Sequence, residues 1–582
     1  MNLPRVFFSR KGAFIAMTER NLTMLTDFYE FTMANGYFEK GMGNRRAYFD
    51  MFFRRVPDGG GYAIMAGVEQ LISYFKNLHF TEEDIAYLRR RKCFSEAFLN
   101  YLRDFKFECD VWAVPEGTPV FPGEPLVTVA GPMIQAQFVE TMVLLTVNHQ
   151  TLIATKANRI TRAAQGRTVL EFGSRRAQGY DGAIYGARAT FIGGCQGTAC
   201  VLADRDHGIP AGGTMAHSWV QMFDSEYEAF KAYAEIYPDN CVFLVDTYNV
   251  LKSGVPNAIR VAKELAEKGI RAKGIRLDSG DIAYLSVEAR KMLNDAGFSD
   301  MQIMASNSLD EYLVRDLIVQ GAQIDSFGIG ERLITSKSEP VFGGVYKLAA
   351  VENEDGEIIP KIKVSENVEK ITTPHFKQVY RLFDNKTGKA LGDVLTIHDE
   401  IIDPALPYVL FHPIHTWKQR VVTDYTVRPL RQQIFKNGEC IYQSPSITEI
   451  RDYCMREVDT LWDQIKRFEN PQTYFVDLSK KLWTCKNELL ESLFKRTHDS
   501  GPSTVRCFSV LKYASARFYK PRRQPRIFLR FEACRMAVFT GFSSVFSARI
   551  RKIVLENRIL SCYTFVCKQG NAVSHFLNAS FS

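Results

Sequence analysis

Between residues 168 and 330 one unit recurs: a short apolar run ends in polar or glycine residues, and a helix-like stretch follows. The runs read TVLEF, IPAGGTMAHS, CVFLVDTY, AKGIRLDSGD, QIMASNS and QIDSFGIG. Their reference points Glu171, Thr214, Asp246, Arg276, Ser306 and Gly328 stand 43, 32, 30, 30 and 22 residues apart. A strand–helix unit needs about 30 residues. Repeated units of this kind build an α/β protein with a parallel sheet. The reading preferred here is an irregular TIM-like α/β barrel, with a doubly wound open sheet as runner-up. In a barrel the active site lies at the C-terminal ends of the strands, where these polar residues fall.

The flanks read differently. Residues 26–38 have a helical pattern with Thr26 or Asp27 as cap. Residues 110–131 alternate β-rich runs with PEG and PGEP turns, a small sheet module. Residues 140–160 form a long helix that leads into the repeats. Residues 345–351 and 376–397 read as strands and turns, and 446–468 and 478–493 as helices. The chain thus divides into an N-terminal α+β domain of sandwich type (17–140), the barrel (141–344) and a smaller C-terminal mixed domain (345–493).

The ends look foreign to this body. The net charge is +8, yet from Phe494 onward sixteen Lys/Arg face three Asp/Glu, leaving 57 basic and 62 acidic residues before that point. Basicity is therefore a property of the tail. Residues 494–582 lack sustained periodicity and read as an unselected stretch, such as an altered reading frame; a basic arm for nucleic acid or anionic lipid is the alternative. Residues 1–16 lack the apolar core and cleavage site of a secretory signal and read as an extension upstream of Met17, or as a weak targeting peptide. No run of about 18 apolar residues suggests a membrane span. The 12 cysteines form no CxxC pair, which suggests reduced thiols in the cytoplasm and no structural metal site.

The strand ends offer Arg175, Arg176 and Arg276, the acids Glu171, Asp246, Asp278 and Asp281, hydroxyls at Thr214, Ser218, Thr247 and Ser279, Gly328 and Gly330, and one imidazole, His217. Guanidiniums pair with phosphates and carboxylates through two bonds. Glycine turns let backbone amides approach a phosphate. Acids hold a ribose diol or Mg²⁺. Each element alone has a bland reading. Gly328-Ile329-Gly330 could be a turn, DSGD a capped helix start, His217 and Tyr29 structural, and Phe53-Arg54-Arg55 a solvated strand end. Placed together on successive strand ends, they suit an anionic, phosphorylated sugar.

The chain resembles the nicotinate phosphoribosyltransferase family over roughly residues 20–490. The resemblance is carried by LTDFYEFTMANGYF (25–38), FFRRVPDGGGYAI (52–64), PEGTPVFPGEPL (115–126), IATKA (153–157), EFGSRRAQG (171–179), AGGTMAHSWV (211–220), LVDTYNVLKSGVPNA (244–258), GIRLDSGD (274–281), FGIGERLIT (327–335) and GGVYKL (343–348). It implies that nicotinate attacks C1 of 5-phosphoribosyl 1-pyrophosphate, with ATP as co-substrate and Mg²⁺ on the pyrophosphate or ATP. His217, Arg276 and Asp278 are the implied catalytic residues, with His217 as the phosphorylated histidine. Thr214 and Arg276 match positions that contact nicotinate, and Tyr29 matches a ring-stacking aromatic lent by the second subunit of a homodimer. Arg175 and Arg176 would hold phosphates, Asp278 the ribose hydroxyls, and Gly328 and Gly330 the 5′-phosphate. Glu331 departs from relatives that carry Thr after this glycine pair.

The nearest rival is a nicotinamide phosphoribosyltransferase, which would place an acid in the loop GGCQGT (193–198); none is present. Quinolinate phosphoribosyltransferases are much shorter. A barrel aldolase would want a Schiff-base lysine at a strand end. A basic RNA-binding protein would need interleaved RNA-binding motifs, and the charge lies only in the tail. Neither a nucleic acid nor a membrane is expected as partner.

Overall fold

The computed structural model describes residues 20–499 and the antiparallel strand pair Val554–Leu555 and Arg558–Ile559. The extension 1–16 lies outside the described residues, and so does the tail 494–582 apart from that pair and the backbone of the helix ending at Asp499.

The repeats form a six-stranded parallel sheet in the order Gly197–Thr198, Thr168–Glu171, Ser326–Ile329, Gln302–Asn307, Gly274–Leu277, Val242–Leu244. Apolar residues such as Val169, Phe243, Ile275, Ile303 and Phe327 are buried in it and belong to one core. Their near-continuous apolar runs are what a parallel strand covered by helices requires. The register pairs Gly328 with Ser306, Ala305 with Leu277, and Ile329 with Glu171. The strands therefore end at one level, and the residues that follow them share one rim.

One expectation changes here. The run IPAGGTMAHS is not a strand: it makes a single parallel bridge, Thr198 to Ala211. Pro210 lacks an amide donor and Gly212-Gly213 offer no side chain to a pleated face, so the segment crosses the rim as a loop. The strand on that flank is Gly197–Thr198, two residues long and without an apolar run to announce it. On one side Gly212 donates to Thr198 O at 2.8 Å. On the other, the Met215 carbonyl accepts from Arg276 at 3.4 Å, so the loop spans between the two flanks of the sheet.

The N-terminal part is built on a seven-stranded antiparallel sheet, with Arg46–Phe52 between Val345–Glu352 and Val127–Pro132. Chain from beyond the barrel joins it: Val345–Glu352 and Ile358–Pro360 on one side, and Gln432–Lys436 and Glu439–Cys440 on the other. Residues 345–493 thus share a sheet with the N-terminal domain as well as forming a four-stranded sheet of their own, around Lys377–Asp384 and Ala390–Ile397. The helix read at 140–160 runs Glu140–Ala163, buried along most of its length. Its Lys156 ammonium meets Asp58 and Glu311 (each 2.9 Å) and Ser338 (2.8 Å), tying the loop 57–61 to the barrel rim.

Candidate active site

Arg276 is the centre of the rim. It leaves the strand Gly274–Leu277 with its side chain 13% exposed, and every guanidinium nitrogen has a partner. Nε donates to Ser306 Oγ at 2.8 Å, Nη1 to Thr214 Oγ1 at 3.2 Å, and Nη2 to Asp278 Oδ1 at 3.0 Å. The guanidinium also lies over the Phe172 ring, 5.6 Å from its centre. Contacts from three different rim segments fix one orientation of the planar fork.

Asp278 accepts from Arg276 and from Ser306 Oγ through Oδ1, while Oδ2 stands 3.8 Å from His217 Nε2. His217 Nδ1 lies 3.1 Å from the Thr247 hydroxyl. With Nδ1–H donated to Thr247, the lone pair falls on Nε2, on a ring 40% exposed. Beside it, Ser279 donates to Asp246 Oδ2 at 2.5 Å, and Asp246 Oδ1 is buried without a partner. Asn307, next to Ser306, takes φ +125°. A non-glycine residue there costs about 1–3 kcal/mol, a strain typical of sites whose geometry is over-determined.

Glu171 is not at the solvent face of the site. It is fully buried; Oε2 accepts from Thr198 Oγ1 at 2.6 Å, and Oε1 accepts the Gly173 amide. Burial raises its carboxyl above the usual range, against the pull of those hydrogen bonds. Asp281 caps the helix Ile282–Asp295 through the Tyr284 amide at 3.1 Å, the bland reading of DSGD for that residue.

The structure brings His217, Thr214, Arg276 and Asp278 together. Arg175 and Arg176 sit exposed on the turn Ser174–Arg176 next to the rim. Arg176 lies 3.9 Å from Glu331, whose other oxygen accepts from Lys337 at 2.7 Å. Gly328 and Gly330 have a packing reason to be glycine. A Cβ on Gly328 would stand 2.5 Å from the Phe172 ring, and one on Gly330 2.8 Å from the Phe172 carbonyl. Tyr29 is elsewhere: its helix, Phe28–Glu39, packs on helices 133–138 and 96–103, and its ring is 45% exposed. None of the rim hydrogen bonds described above reaches it.

Sequence reasoning passed over Ser306 as a binding group and Phe172 altogether. Ser306 was marked only as a reference point within QIMASNS, and Phe172 ends TVLEF beside Glu171. Gly328→Ala tests the link from glycine to Phe172 to Arg276. The added methyl pushes the ring toward the guanidinium, so activity falls at least tenfold while stability drops by about 1–3 kcal/mol, the usual cost of overpacking. Full activity, measured beside a thermal melt, would remove Phe172 from this argument.

The description "Nicotinate phosphoribosyltransferase (NAPRTase) family" matches residues 168–391, with its N-terminal domain matching 24–148 and its C-terminal domain 376–486. A curated nicotinate phosphoribosyltransferase of Bacillus subtilis is 44% identical over 479 residues, 82% of this chain and 97% of its own length. The chain belongs to the nicotinate phosphoribosyltransferase family. A second relative, the nicotinate phosphoribosyltransferase of Dictyostelium discoideum, is 36% identical and covers 81% of this chain and 88% of its own. The crystal structure of human nicotinic acid phosphoribosyltransferase superposes with a TM-score of 0.72 at 30% identity, over 80% of this chain and 99% of that one. Among the described residues no helix is long and apolar enough to cross a membrane.

Proposed function

We propose that this chain joins nicotinate to C1 of 5-phosphoribosyl 1-pyrophosphate, giving nicotinate mononucleotide and pyrophosphate, with ATP hydrolysis coupled through His217. The observation that carries this reading is the Arg276–Thr214 pair: a guanidinium 3.2 Å from a hydroxyl, oriented by Asp278 and Ser306 at the strand ends. Such a fork suits a planar carboxylate on an aromatic ring. The ring nitrogen attacks C1 as the C1–O bond breaks and its electron pair leaves with pyrophosphate. The chain's task is positioning and electrostatics. Asp278, beside Arg276, would meet the ribose hydroxyls. Arg175 and Arg176 would take the phosphates of the donor, and the turn at Gly328 and Gly330 its 5′-phosphate.

His217 is suited to the coupling: in the tautomer that donates Nδ1–H to Thr247, Nε2 carries the free lone pair and is the nucleophile. Nε2 attacks the γ-phosphorus of ATP, ADP departs, and water later releases the phosphoryl group. Among the described residues no group of three or more His, Cys, Asp or Glu is placed to hold a metal ion. Mg²⁺ fits as a companion of the polyphosphate, with the unpartnered Asp246 Oδ1 as an available oxygen. Bound there, it would neutralise charge on the leaving pyrophosphate. The carboxylate substrate is favoured over the amide because loop 193–198 carries no acid and both Glu171 oxygens are taken.

The enzyme would act as a homodimer in which Tyr29 of one chain covers the nicotinate ring of the other. The exposure of Leu25, Phe28 and Tyr29 on one segment supports this. The eight free cysteines of the described residues suit the cytoplasm. The deciding experiment is a product assay with nicotinate or nicotinamide, with and without ATP. Nicotinate mononucleotide is the expected product, formed faster with ATP; preference for nicotinamide would overturn the reading.

A further inference from the structure

A cavity of about 280 Å³ lies away from the rim residues just described, beside the antiparallel sheet. It is lined by residues 50–54, the turn 122–125, the segment 368–373, Lys377 and Lys486. Its lining carries three cations, Arg54, Lys377 and Lys486, against Asp50 and the exposed Glu369. Asp50 is the acid buried here, and it is heavily shared. Its Oδ2 meets Lys377 Nζ at 2.6 Å, and its Oδ1 accepts the Thr128 hydroxyl at 2.6 Å. That hydroxyl in turn accepts from Arg431, which is 3% exposed and has no partner for Nε or Nη2.

Arg54 Nε is likewise buried and unpartnered among the described residues, where Lys486 Nζ donates to the Thr373 hydroxyl at 3.2 Å. Asp50 thus pairs with Lys377, which also donates to the carbonyls of Thr373, Pro374 and His375, and it reaches Arg431 only through the Thr128 hydroxyl, while Lys486 donates to the Thr373 hydroxyl rather than to a carboxylate. Buried charge without a counter-charge costs several kcal/mol per ion, so the cluster calls for an anion. Two further signs agree. Burial and then Lys377 push the Lys486 ammonium down to about 8, and burial pushes the Arg431 guanidinium down to about 10. For Lys486 the neighbouring Lys377 adds to the effect of burial, whereas for Arg431 burial outweighs the opposing pull of Asp50.

We propose that this cavity is an anion site for a phosphate-bearing ligand, held by Arg54 and Lys486 with Lys377 and Arg431 supplying the field behind them. Planar and point-charge donors around a void of this size match a tetrahedral or linked phosphate. Inorganic phosphate, pyrophosphate and a nucleoside triphosphate share that chemistry.

The test is thermal melting and titration calorimetry of the full chain with sodium phosphate, sodium pyrophosphate and ATP, against sodium chloride at matched ionic strength. The anion that raises the melting temperature at the lowest concentration names the source. Lys486→Gln and Arg54→Gln are each expected to lose at least about tenfold in affinity for it, the loss of one charge-assisted hydrogen bond. Without anion they melt at or above the wild-type temperature, because each removes an uncompensated cation. The same losses are expected in an Arg175→Ala/Arg176→Ala background, which separates this cavity from donor binding at the rim. The proposal is overturned if both variants keep the wild-type anion response, or if both melt well below wild type without anion. The outcome is independent of the product assay, so either reading can fail alone.

Discussion

Replacing Arg276 by alanine raises the KM for nicotinate by roughly 100-fold, about 3 kcal/mol, the range for removing one partner of an enclosed charge pair. The effect is large because the guanidinium does two things. It offers the positive fork for the carboxylate, and it holds Ser306, Thr214 and Asp278 in register across three separate segments. Without it, Asp278 keeps the Ser306 hydroxyl and stands opposite the incoming carboxylate as a like charge. The kcat is therefore expected to fall as well, since Asp278 loses the contact that aims it. Arg276→Lys keeps the charge but not the fork, and should recover only part of the binding. Steady-state kinetics with nicotinate varied at saturating donor would decide; a KM near wild type would take Arg276 out of the substrate site.

The second large effect is qualitative. His217→Ala abolishes stimulation by ATP and leaves a slower, ATP-independent phosphoribosyl transfer. The imidazole lies 3.8 Å from Asp278 and 3.1 Å from Thr247, and the hydrogen bonds that hold Arg276, to Ser306, Thr214 and Asp278, do not pass through it. Its removal should leave nicotinate recognition standing. Two measurements check this: ADP release in the presence of both substrates, and the phosphoryl mass increment on the intact protein after incubation with ATP. Wild type should show both and His217→Ala neither. ATP stimulation unchanged in the variant would end the phosphohistidine reading. Complete loss of transfer even at high donor concentration would instead place His217 in the transfer step itself.

These predictions rest on residues that differ in how visible they were. Arg276 and Asp278 end or follow a run of apolar residues whose spacing marks a βα repeat, while His217 stands at the end of a loop. A polar residue at that point has to face the rim, because the preceding strand is buried on both sides. The same logic failed for IPAGGTMAHS. A strand there would need a side chain at each alternate position, and the segment has Pro210 and two glycines instead. Gly197–Thr198 was invisible for the opposite reason: a two-residue strand has no periodicity to read.

Local sequence settled most of the helices and the longer strands, and placed Arg276 and Asp278 at the rim. It did so because burial imposes a periodic pattern on each element separately. Only the tertiary structure decided what meets what. It joined strands from beyond the barrel to the N-terminal sheet, and it placed the Phe172 ring between Gly328 and Arg276. It also lined one cavity with Arg54, Lys377 and Lys486, and set Asp50 between Lys377 and the Thr128–Arg431 pair, from positions hundreds of residues apart. Such contacts depend on which faces of different elements are pressed together, and no local pattern records the partner.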